Sequence, residues 1–189
     1  MTPNPKLLIP FLFVLATPAK SETVRQLDAH NHGEARLSIV MNNNQVGLSL
    51  HSPSANLIGF EHEPRNEEQH AQVKQVKELL SNHANLFGIA AEAECQPIES
   101  TVHWTLDEDT DHTEHEEHEE HEEHDTASHS EFEVEFLLDC EKVEEIGSIE
   151  VQLFELFPAL KTLHVEALFT NSQFVDTLSI ENSIITIPK

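Results

Sequence analysis

Residues 131–140 read EFEVEFLLDC, in which Phe132, Val134, Phe136, Leu138 and Cys140 alternate with Glu131, Glu133 and Glu135. A period of two sends successive side chains to opposite faces of an extended chain, so this segment predicts a half-buried β-strand. Working outward, Ala35, Leu37, Ile39 and Met41 alternate with Arg36, Ser38 and Val40; Asn42-Asn43-Asn44 supplies a turn, and Val46, Leu48 and Leu50 resume the pattern up to Pro53. Two such runs about a turn predict a β-hairpin. Shorter strand patterns cover Ala91 to Cys95, Ser100 to Thr105, Ile149 to Leu153, Leu163 to Phe169, Phe174 to Ser179 and Ile184 to Ile187, with a break at Phe157-Pro158. One region has helical spacing instead. From Asn66, the residues Ala71, Val73, Val76, Leu79, Leu80, Leu86 and Phe87 line one broad face, Asn66 with Gln69 forms an N-terminal cap, and Gly88 is a stop. Many strands and one long helix predict an α+β domain, its mainly antiparallel sheet packed by that helix.

The strand at 131–140 is preceded by a segment of different composition. Between Asp107 and Asp125 the chain reads DEDTDHTEHEEHEEHEEHD: twelve carboxylates, five histidines, two threonines and no positive charge. A solvated acidic loop would explain the carboxylates but not imidazoles at every third position, His112, His115, His118, His121 and His124. Neutral imidazole offers an sp² nitrogen, and the flanking carboxylates add oxygen ligands and offset a cation's charge, so the tract is expected to bind several metal ions in similar weak sites. Imidazole mixed with carboxylate favours zinc, nickel or copper over calcium or magnesium, with zinc the default. A three-residue spacing winds around an α-helix rather than forming one face, and unscreened like charges oppose compaction. The segment 107–128 is therefore expected to be a disordered His/Asp/Glu-rich insertion that orders in part as ions neutralise it.

At the N-terminus, Lys6 precedes the apolar run Leu7 to Ala16 and then Thr17-Pro18-Ala19. The run is short for a bilayer span and ends in small residues, which predicts a secretory signal peptide over residues 1–19 and a single domain over 20–189. No later segment predicts stable membrane insertion. Removing Lys6 leaves nine basic side chains against 35 acidic ones, a net charge of about −26 with neutral histidines. So negative a surface makes nucleic acid and anionic membranes poor partners.

Cys95 and Cys140 are the two cysteines, and they bracket the acidic tract. In an exported protein an even count predicts a disulfide, two free thiols being the alternative. A disulfide here would clamp the roots of the insertion and leave metal binding to His, Asp and Glu.

A second constellation lies before the first strand. In Asp28-Ala29-His30-Asn31-His32-Gly33-Glu34, His30 and His32 point the same way if the chain is extended. After the hairpin, Gly59-Phe60-Glu61-His62-Glu63-Pro64 brings a further histidine between carboxylates. The remaining histidines offer less. His70 and His83 fall on the helix away from its apolar face and are expected to be exposed, His103 is opposed to Trp104 on a strand, and His51 and His164 show no convergent partner; all five stay outside the predicted site.

Taken together, the run from His30 to Ala35, the run from Gly59 to Pro64, Cys95 with Cys140, and His129-Ser130-Glu131-Phe132 make the chain resemble the ZrgA-like family of periplasmic zinc-uptake proteins. That resemblance implies a periplasmic zinc-binding accessory to an ABC-type importer in a Gram-negative bacterium. It also implies His30, His32 and His62 as structured zinc ligands, with Glu61 or His129 completing the site. Capture and delivery of zinc is thus the first functional expectation, and a metal buffer or sink for zinc, nickel or copper is the alternative. A zinc-dependent hydrolase is a poorer fit: the tract's His-Glu-Glu-His places histidines at i and i+3 instead of the i, i+4 pair of metalloproteases, and no G-x-S-x-G occurs. The protein is expected not to be an enzyme.

Overall fold

A computed structural model of the chain describes residues 31–107, 129–170 and 172–188. The expected signal peptide, His30 and the tract histidines His112, His115, His118, His121 and His124 lie outside the described residues.

The described chain is mostly sheet with few helices. Strand β1 (Glu34–Asn42) turns at Asn43, φ 51°, into β2 (Gln45–Pro53), as the alternation predicted. Asparagine tolerates this left-handed conformation better than most residues, which suits a tight hairpin turn. Helix α1 (Ser54–Ile58) follows, then α2 (Glu67–Leu80), α3 (His83–Leu86), the short β3 (Phe87–Ile89), β4 (Cys95–Asp107), β5 (His129–Cys140), β6 (Ser148–Val151), α4 (Leu153–Leu156), β7 (Thr162–Phe169), β8 (Gln173–Leu178) and β9 (Ile184–Thr186). Six strands form one sheet in the order β4-β5-β2-β1-β7-β8, and three form a second, β3-β6-β9. Every pair is antiparallel except β1 with β7. The fold is therefore α+β with a mixed, mainly antiparallel large sheet.

The predicted single long helix is corrected. Asn66 caps α2 as expected, accepting a hydrogen bond from the Gln69 N–H at 2.9 Å, while the Gln69 side chain accepts from the Arg65 N–H at 2.7 Å. The helix nevertheless ends at Leu80. Asn82 opens α3 by accepting from the Ala84 N–H, and Phe87 with Gly88 passes into a strand. Val73, Val76 and Leu80 are the buried residues of α2, and Ala71 faces solvent. His83 is half-buried with its ring edge-on to Phe136 at 6.0 Å, and this burial holds its pKa below the ordinary histidine value. The expected strand at Ala91 to Cys95 is a single 3₁₀ turn over Ala91–Ala93, ended by Glu94 at φ 51°.

Alternation decides the core. Phe132, Val134, Phe136 and Leu138 on β5 pack with Leu37 and Ile39 of β1, Leu48 and Leu50 of β2, and Leu163 and Val165 of β7, all nearly or fully buried. Phe87, Ile149, Val151 and Ile185 of the smaller sheet join the same cluster. The opposite face of the large sheet, carrying Arg36, Ser38, Ser49, His51, Glu133, Glu135, His164 and Glu166, is at least partly open to solvent. Among the described residues no helix is long and apolar enough to cross a membrane.

Cys95 and Cys140 form a disulfide, across a sequence separation of 45. They pair at one end of the β4–β5 ladder, and Asp107 pairs with His129 at the other. At about 3.3 Å per residue, the 13 residues of β4 put roughly 40 Å of strand between them. The strand ladder, not the disulfide, thus holds the roots of the His-rich tract. At the disulfide end, Lys142 and Glu94 form an ion pair, and the Lys142 ammonium holds the Glu94 carboxyl below the usual carboxylate range.

Candidate metal site

Two glycine turns and one buried amide shape the end of the sheet where the tract departs. Residues 31–34 make a turn closed by the Glu34 N–H donating to the Asn31 carbonyl at 3.1 Å, with Gly33 at φ 87°. Asn56 of α1 grips this turn: its Oδ1 accepts from the Gly33 N–H at 2.6 Å, and its Nδ2 donates to the Glu34 carbonyl at 2.8 Å. Helix α1 then ends at Gly59, φ 82°, whose N–H donates to the Ala55 carbonyl at 3.2 Å. Glycine takes this left-handed C-terminal position without a Cβ penalty. From α2, the Gln72 side chain donates to the Ile58 carbonyl at 2.8 Å and holds the end of α1. The chain is thereby directed through Phe60, Glu61 and His62 over the starts of β1 and β5.

Glu61 is the centre of the arrangement. Its side chain is only 11% exposed, yet it faces two imidazoles: His32 Nε2 lies 3.2 Å from Oε1, and His129 Nδ1 lies 3.3 Å from Oε2. The His129 contact has hydrogen-bond geometry. The His32 contact satisfies distance but not direction, so buried Oε1 lacks a hydrogen-bond donor. A buried carboxylate oxygen without a donor is costly, and a cation shared with the two adjacent imidazoles would satisfy it. The donor set of two nitrogens and a carboxylate is one that zinc accepts.

Of the residues predicted for the site, the structure brings together His32, Glu61 and His129. His62 stands elsewhere: its ring stacks on Phe60 at 4.9 Å, and its Nδ1 is 2.8 Å from the Glu63 carbonyl. His30 is outside the described residues. As the side chains stand, no three His, Cys, Asp or Glu groups among the described residues are gathered around one point. A cation shared by Glu61 and both imidazoles would need the His32 and His129 rings to reorient, and their side chains are 67% and 49% exposed.

Asn56 was not anticipated from the sequence. It is 3% exposed, within the mostly apolar stretch Ser-Ala-Asn-Leu-Ile, and a polar residue buried in such surroundings is the signal that could have marked it. Asn56→Ala is expected to strand the Gly33 N–H and the Glu34 carbonyl, costing about 2 kcal/mol, and to loosen the turn that carries His32. Thermal denaturation and zinc titration of the same variant check both effects. An unchanged melting temperature would show that the amide does not hold this turn.

No curated protein matches the chain. A family model does, that of the ZrgA family zinc uptake protein, over residues 29–187, which takes in His32, Glu61, both cysteines, the tract and His129. The chain belongs to the ZrgA family of zinc uptake proteins.

Proposed function

We propose that this protein works in the periplasm, capturing zinc and supporting its uptake by an ABC-type importer. The observation that carries this reading is the nearly buried Glu61 carboxylate between His32 and His129, at the end of the sheet where Asp107 pairs with His129. His32, Glu61 and His129 form the core of the zinc site, and His30 and His62 are the candidates for its further ligands. His62 would join by leaving Phe60 and the Glu63 carbonyl.

Negative potential concentrates cations around the chain, and weak tract sites exchange them quickly. Both roots of the tract enter the ladder beside Glu61, so an ion released by the tract emerges next to a tighter site. Delivery then follows an affinity ladder from tract to folded site to importer. The family's zinc-uptake role supports binding rather than catalysis as the purpose of the metal.

Growth under zinc chelation tests the role. A strain lacking the protein should grow poorly and recover with added zinc. A strain with all five tract histidines replaced should grow nearly normally in moderate chelation, and one carrying His32→Ala with His129→Ala should not. The reverse ranking would assign the function to the tract. A null strain sensitive only to excess metal would make the protein a sink.

A further inference from the structure

Outside the Glu61 site, the sheet register assembles a second set of metal-ligating groups. Glu133 of β5 is directly opposite His51 of β2 on one side and His103 of β4 on the other. All three point away from the core, since their strand neighbours Leu50, Phe132 and Val134 are buried and Trp104 packs on Phe132. We propose that His51, Glu133 and His103 form a second site on the open face of the large sheet, for a divalent transition-metal ion.

The arrangement repeats the first in its order, one carboxylate between two imidazoles. His51 Nε2 already lies 3.5 Å from Glu133 Oε1, with Ser49 Oγ 3.3 Å away on the same nitrogen. Directly opposed residues have Cβ atoms about 5 Å apart, so the two histidines are separated by about 10 Å across the three strands. Two imidazoles leaning toward Glu133, each with a metal–nitrogen bond of about 2.1 Å, close that gap. His103 must turn to do so. It is exposed and makes no side-chain hydrogen bond or ion pair among the described residues.

The surrounding charge favours a cation. Glu131 and Glu135 flank Glu133 on the same face of β5, against one positive neighbour, Arg36, which is opposite His51 on β1. His164, opposite Arg36 on β7, is engaged by Glu34 at 3.3 Å and stays out of the set. His129, Glu131 and Glu133 follow one another on this face of β5 at intervals of about 6.7 Å. The second site thus stands two such steps from the first, made of different residues.

The test is a zinc titration of the full mature protein with ¹⁵N-labelled histidine, following ring signals assigned through His51→Ala and His103→Ala. The His51 and His103 rings should respond together, with a common half-saturation. His103→Ala, and separately Glu133→Gln, should weaken the His51 response about tenfold or more, as loss of a ligand or its partner does. Two results would overturn the proposal: a His51 response unaffected by both substitutions, or silence of either ring at zinc levels that saturate His32 and His129. Those latter rings report the Glu61 site in the same titration, so failure of one site is read separately from failure of the other.

Discussion

Replacing His32 and His129 together with alanine should weaken the tightest zinc site at least about 100-fold, or about 2.7 kcal/mol. The two imidazoles are the only histidines in contact with Glu61 among the described residues, and without them its buried carboxylate loses both nitrogen neighbours. Zinc held by a carboxylate and water alone is bound far more weakly than zinc with two imidazoles. A single tract substitution should change the same affinity little, because five near-equivalent tract histidines replace one another. Competition with a chelator of known zinc affinity separates the two classes. Glu61→Gln supplies the control for the carboxylate: it keeps the shape of the side chain and removes its charge, so it should weaken the tight site while leaving the fold intact. An unchanged tight affinity in the double variant would remove the Glu61 site. A loss confined to variants of His62 would move it toward Phe60 and Glu63.

The strands were legible because each buries one face, and alternation at Ala35 to Met41, Val46 to Leu50 and Phe132 to Leu138 records that directly. The length of the helix was overestimated for a similar reason. Leu86 and Phe87 are buried and continue an apolar pattern, but Asn82 restarts the chain as a new short helix and Phe87 pairs with Val151. That three-residue strand belongs to a second sheet whose partners are distant in sequence, and local patterns carry no trace of such pairing. The disulfide partners could be read from the cysteine count, whereas their position at the far end of the ladder from the tract required the register.

The candidate site was partly legible. His32 and Glu61 sit in distinctive local runs and His129 follows the tract, so the sequence singled out all three; the contact of both histidines with one carboxylate depends on the turns at Gly33 and Gly59 and on Asn56. In sequence, His51 shows no convergent partner and His103 shows only that it is opposed to Trp104 on its strand. Only the pairing of β2 and β4 with β5 places them on either side of Glu133.

Removing the disulfide by Cys95→Ala with Cys140→Ala should destabilise the domain by about 4 kcal/mol, the chain-entropy value for a closed loop of this length. That is a large share of the roughly 5–15 kcal/mol that holds a typical domain together. For a domain of this size it corresponds to a fall of about 10 °C in melting temperature. The tight zinc affinity should nonetheless persist at temperatures where the variant is folded, because the length of β4 separates the disulfide from Glu61 and distant sites act additively. Thermal denaturation and zinc titration of the double variant measure the two effects independently. A melting temperature within about 2 °C of the parent would mean that the β4–β5 ladder alone restrains the unfolded chain enough to make the crosslink redundant. A large loss of zinc affinity in a well-folded variant would instead mean that the two ends of the ladder are mechanically coupled, and that the redox state of the cysteines reaches the metal site through β4 and β5.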